Sequence, residues 1–131
     1  MKLIPILIAL CLALPAVAEE IVTPQEFEAL SSGKTLYFSR DGRLFGVEQF
    51  YKRHRCTWQF ADGECDDGVW YAQNGFICFQ YTKNSEPQCW HFLKTDDGFA
   101  ARAQGASPDQ DLHLERVDQK PLDCKGPDVG A

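Results

Sequence analysis

Four dipeptides govern what this chain can fold into: Asp41-Gly42, Asp62-Gly63, Asn74-Gly75 and Asp97-Gly98. Each joins a residue that tolerates the left-handed backbone region to a glycine, which is the chemistry tight hairpin turns need. Around them apolar residues recur with a period of two, so alternate side chains fall on one face. RHRCTWQF puts His54, Cys56, Trp58 and Phe60 on one side and Arg53, Arg55, Thr57 and Gln59 on the other. Short strands joined by consecutive tight turns describe an antiparallel up-and-down meander. Such a sheet buries its core by curling on itself or by packing a helix across its open face. The expected fold is mainly β, a small barrel or curled sheet over residues 35–124, with a β-sandwich as the alternative.

One short helix is expected in the region 19–34. Thr23 and Glu26 have the spacing of a capping box, Pro24 suits the first helical position, and Gly33 is placed to end the helix. Strand registers follow from the turns. Pairing Arg40 with Arg43 sets Phe38 against Phe45 and Leu36 against Val47; pairing Phe50 with Arg53 sets Val47 against Cys56 and Phe45 against Trp58. All of these apolar residues then share the core face. Gly68 reads as a bulge, and the Asn74-Gly75 turn sets Trp70 across from Phe79 and Ala72 from Ile77.

The first eighteen residues, MKLIPILIALCLALPAVA, have the layout of a secretory signal peptide: Lys2, an apolar run, then Ala16-Val17-Ala18. The run is shorter than the roughly 20 residues that cross a bilayer, so stable membrane insertion is not expected. Cleavage leaves Glu19–Ala131, the size of one ordinary domain, with residues 125–131 as a Pro- and Gly-rich tail. The whole chain carries a formal charge of −6, and loss of Lys2 makes it −7. A surface of that sign repels nucleic acid.

Cys11 leaves with the signal, so Cys56, Cys65, Cys78, Cys89 and Cys124 remain, and in an exported chain disulfides are the default. A hairpin that registers Phe76 with His91 brings Cys78 directly opposite Cys89, where Cα atoms approach to roughly 4.5–5.5 Å. A Cys65–Cys124 bridge would tie a turn to the tail and close a long loop, worth on the order of 4 kcal/mol in chain entropy. Cys56 is then a buried free thiol. No Cys-x-x-Cys occurs.

The order of PQEFEAL, GKTLYF, W-x-F-x-D-G-x-C, ICF-x-Y, PQCW and a closing PLDC resembles a group of small exported β-meander proteins of alphaproteobacteria. The resemblance spans nearly all of the chain after the signal and implies a periplasmic or secreted domain. It brings no established reaction and no catalytic residues. Lipocalin-like and avidin-like barrels are similar in architecture alone, which does not carry function.

No phosphate-cradling glycine loop, serine elbow or His-Glu-x-x-His motif is present, so neither a catalytic centre nor a cofactor is expected. Glu64, Asp66 and Asp67 sit beside Asp62-Gly63 and read as a solvated hairpin tip. The leading functional expectation is a non-enzymatic periplasmic or secreted binding module, meeting a protein or envelope component through strand edges or loop tips. The alternative is a small-molecule carrier whose barrel is lined by Trp58, Trp70, Trp90 and Phe79. A metal site built from His54, Cys56 and His91 ranks third, because those residues come from strands that the expected register does not make adjacent.

Overall fold

A computed structural model of the chain describes residues 1, 9–14 and 19–125. Most of the expected signal segment, and the tail beyond Lys125, lie outside those residues. A two-residue strand β1 (Glu20–Ile21) and helix α1 (Pro24–Ser31) precede strands β2 (Thr35–Arg40), β3 (Arg43–Phe50), β4 (Arg55–Phe60) and β5 (Cys65–Gln73). Strands β6 (Phe76–Tyr81), β7 (Gln88–Thr95), β8 (Gly98–Ala103) and β9 (Leu112–Asp118) complete the chain, with one 3-10 turn at Pro108–Gln110 before β9. From β2 to β9 each strand pairs with the next, and β9 returns to β2, giving a closed eight-stranded antiparallel barrel. The expected mainly-β meander with one helix is the observed architecture.

Helix α1 begins where its capping box places it. Thr23 Oγ1 accepts the Glu26 N–H and Glu26 Oε1 accepts the Thr23 N–H, each at 3.2 Å. The helix stops after Ser31, and Gly33 takes a left-handed φ of 71° that reverses the chain into β2. α1 lies across one end of the barrel and sends Phe27 into it. That ring is fully buried and meets Trp70 at 5.0 Å, Phe50 at 5.5 Å, Phe79 at 6.4 Å and Phe92 at 4.5 Å between centroids. One helical side chain thus joins β3, β5, β6 and β7.

The first hairpin departs from the expected register. Arg40 does pair with Arg43, but Phe38 pairs with Gly46 and Leu36 with Glu48, because Phe45 is an extra residue in β3. This bulge turns Gly46, Glu48 and Phe50 inward and Val47 outward, and a matching extra residue, Glu115 in β9, flanks β2 on its other side. Such bulges bend the strands that carry them and increase the local twist, which helps a small sheet to close. The next loop is also longer than expected. Arg53 and His54 both take left-handed φ, 62° and 57°, so Phe50 pairs with Cys56 rather than Arg53. From there the registers follow the turns, with Trp70 opposite Phe79, Ala72 opposite Ile77 and Ile77 opposite Trp90. Gly68 is not a bulge. It pairs regularly with Cys56 and Tyr81, and a Cβ there would stand 2.7 Å from the Tyr81 ring.

Two features close the outside. β8 and β9 share only two paired positions, and the bidentate contact of Arg102 with Asp111, at 2.7 and 2.8 Å, clamps that short seam. After β9 the chain runs back over the outer face. Thr35 Oγ1 donates to the Lys120 carbonyl, Gln49 Oε1 accepts the Leu122 N–H, and Gln59 Nε2 donates to the Asp123 carbonyl. These anchors bracket Val47, which is buried on this outward face apart from the barrel core. The strap ends at the β4–β5 turn, where Cys65 and Cys124 are bonded and Glu64 bridges Lys125.

Removing the plug should be costly. Phe27→Ala leaves a cavity among four rings and is expected to lose about 3–5 kcal/mol in urea denaturation. A loss under about 1 kcal/mol would mean that the barrel end collapses without its plug.

Candidate functional site

With α1 across one end, the other end stays open. It is bordered by the β2–β3, β4–β5 and β6–β7 turns and by the segment between β8 and β9. Below this mouth lies a cavity of about 580 Å³. Phe50, Phe79 and Phe92, the same rings that pack on Phe27, also line the cavity and form its floor. Trp58 and Trp90 stand in the wall, and Leu44, Phe45 and Phe60 form a partly exposed apolar rim. Trp58 is the hub of the upper wall, with Phe45 at 6.0 Å and Phe38 and Phe60 at 6.3 Å. Its indole occupies the place of a missing side chain. A Cβ on Gly46 would lie 2.0 Å from the ring, so only glycine admits Trp58 in this position.

The polar part of the lining is small and acidic. Glu48 and Asp66 line the cavity from β3 and β5, and among the described residues no lysine, arginine or histidine lines it. Glu48 is 2% exposed. Its Oε1 accepts the Tyr81 hydroxyl at 2.6 Å, whereas Oε2 is buried with no hydrogen-bond partner among the described residues. The Cys56 thiol stands beside the same carboxyl without hydrogen-bond geometry to Oε2. Burial dominates the titration of this group and pushes the Glu48 pKa up to about 8; the Tyr81 and Cys56 contacts oppose that rise, and nearby Asp66 adds to it. Burial, with Glu48 close by, likewise raises the pKa values of the Tyr81 hydroxyl and Cys56 thiol. At neutral pH Glu48 is therefore mainly the neutral acid, held within the wall of the cavity. Asp66 is better satisfied, accepting the Thr82 hydroxyl at 2.6 Å and the Lys83 N–H at 3.2 Å. These bonds fix the start of the β6–β7 loop at the mouth.

The residues singled out from the sequence separate into distinct places. Trp58, Trp90 and Phe79 face the cavity, but Trp70 does not. It lies under α1, between Phe27 and the stacked His54 ring at 3.7 Å. Cys78 and Cys89 are bonded across the β6–β7 hairpin on the outward face and do not line the cavity. The proposed metal ligands do not converge. His54 sits in the β3–β4 loop with Glu28 at 3.4 Å, Cys56 is in the core, and His91 stacks on Phe76 at 3.7 Å on the outer face. No three potential ligands are gathered for a metal among the described residues. Asp66, expected at a solvated tip, is 4% exposed on a strand. Glu48 was not singled out at all, because the turn-based register faced it outward. Its only signal was a lone acid at even spacing between Gly46 and Phe50, both of which turn inward.

Compared with known proteins, the chain matches no family model, no curated protein and no solved structure.

Two outcomes check this geometry. Gly46→Ala should displace Trp58 and cost about 1–3 kcal/mol by overpacking, with a changed tryptophan emission spectrum. Glu48 carries the second. Its pKa lies near 4.5 when unfolded and about 8 when folded, so between these values the native state holds the extra proton. The stability from a neutral Glu48 is full below pH 4.5 and is lost as pH rises through 8. Glu48→Gln should abolish that slope, and the variant should melt above the wild type once pH exceeds 8. Parallel melting curves for the two proteins across this range would refute a buried neutral acid.

Proposed function

We propose that this protein is a non-enzymatic carrier that binds a small apolar molecule inside the barrel, in the periplasm or after secretion. The observation that carries the reading is the aromatic cavity of about 580 Å³, floored by Phe50, Phe79 and Phe92, which pack on Phe27, and open above. Its size is in the range of small-molecule sites, which are largely apolar with a few placed polar groups. A barrel of this strand number can either fill its interior with side chains or hold one ligand, and here Gly46 and Gly68 let the Trp58 and Tyr81 rings lie flat against the wall.

Docking of a protein partner through strand edges loses its main support, since β2 to β9 are each paired on both sides. Loop tips stay available to such a partner. Two disulfides favour an oxidising compartment, and no described helix is long and apolar enough to cross a membrane. Export also agrees with the signal layout of residues 1–18.

The neutral dye Nile red should bind with a rise in its emission and quenching of tryptophan fluorescence. Trp58→Ala should weaken that binding at least about tenfold, or about 1.4 kcal/mol, while far-UV circular dichroism is unchanged. Native mass spectrometry of protein purified without denaturation should find a retained small molecule. A wild-type protein that neither retains a compound nor binds the dye would remove the carrier reading.

A further inference from the structure

We infer that the ligand class is a hydrophobic organic cation, an amine whose ammonium group meets Glu48 Oε2 while its apolar body fills the aromatic cavity. The inference rests on the carrier reading and specifies its ligand. Three observations carry it. The buried Oε2 of Glu48 has no partner and belongs to a side chain that lines the cavity. Among the described residues the lining holds two carboxyls and no basic group, so a carboxylate or phosphate ligand would find no counter-charge. The surroundings of Glu48 are also aromatic. Trp58 is its cross-strand neighbour, and Tyr81, which donates to Oε1, stacks on Phe79 at 6.0 Å. Aromatic faces beside a carboxylate suit an ammonium group, which gains from both the charge and the ring quadrupoles.

The groups that face Glu48 support this polarity. They are Trp58 and the Cys56 thiol from β4, Asp66 from β5 and Tyr81 from β6, with Leu36 paired on the β2 side. None of them supplies a positive charge, so the unliganded carboxyl is kept neutral at pH 7 by burial. An entering ammonium ion provides the missing counter-charge, and Glu48 then releases its proton to solvent. Binding and ionisation are linked. Below the free-state pKa of about 8, affinity for a permanently charged amine should rise by up to about tenfold per pH unit, then level off above it.

The test compares three probes of nearly equal shape by isothermal titration calorimetry: a naphthylethylamine, naphthylethanol and naphthylacetic acid. The wild type should bind the amine at least about tenfold more tightly than the alcohol at pH 8 and should bind the acid weakest. Titrations at pH 7 in buffers of different ionisation enthalpy should report close to one proton released per amine bound. Glu48→Gln should keep its affinity for the alcohol, lose the preference for the amine and release no proton. Equal binding of amine and alcohol by the wild type, or an amine preference that survives Glu48→Gln, would overturn the cation assignment and leave the carrier reading standing. Failure of all three probes and of Nile red would overturn both. The wild-type comparison and proton count decide the matter even if the variant folds poorly.

Discussion

The contact of Phe27 with the rings of Phe50, Trp70, Phe79 and Phe92 is the interaction on which the rest of the molecule depends. A closed barrel of this size has too little interior to form a core along its full length and also keep a hollow. Driving one aromatic side chain into one end concentrates the packing there, where Val22, Leu36 and Ile77 are also buried. The other end can then stay hollow. The capping box and the Thr23-Pro24 start matter in this light because they fix the entry angle of the helix that delivers the ring. The cup is therefore an outcome of unequal packing between two ends of one sheet.

A buried acid in such a cup opposes folding. Holding Glu48 neutral across much of the pH range costs a fraction of the 5–15 kcal/mol or so that a small domain has. Packing alone would be better served by a leucine or glutamine at that position. What offsets the cost is structural reinforcement elsewhere, above all the Cys65–Cys124 link across 59 residues and the Cys78–Cys89 link across 11. Both bridges lie away from the cavity wall, so they stiffen the frame without taking up the hollow. Glu48 is thus a polar group held at an energetic cost within an apolar site.

Much of the frame was legible because local chemistry decided it. Thr23, Pro24, Glu26 and Gly33 bound the helix, and Asn74-Gly75 sets the β5–β6 register through Trp70 and Phe79. The opposed cysteines at 78 and 89 follow from the next hairpin. The inner face of β3 was not legible. A bulge at Phe45 inverts every side chain beyond it, and what selects the bulge is the fit of the Trp58 ring over Gly46, a contact between strands that no turn sequence encodes. The same inversion hid Glu48. For Asp66 a nearby turn signal suggested exposure, whereas Thr82 and the Lys83 backbone supply the buried partners that make its position possible. Trp70 was misplaced for a simpler reason, since inward-facing positions do not say which end of a barrel they occupy.

The order of the strands has a consequence for how the chain reaches this state. Every pairing within the barrel joins consecutive strands except one, β2 with β9, which brings Thr35 to Asp118. Hairpins form rapidly from neighbouring segments, but that last seam must close the longest loop in the molecule before it gains anything. Until then β2 and β9 present open edges and the aromatic lining is accessible from the side. The strap that follows β9 runs outside β2, β3 and β4 and ends in the Cys65–Cys124 bond. Oxidation of that pair therefore acts as a latch on this long-range seam, holding the sheet closed once its first and last long strands have met.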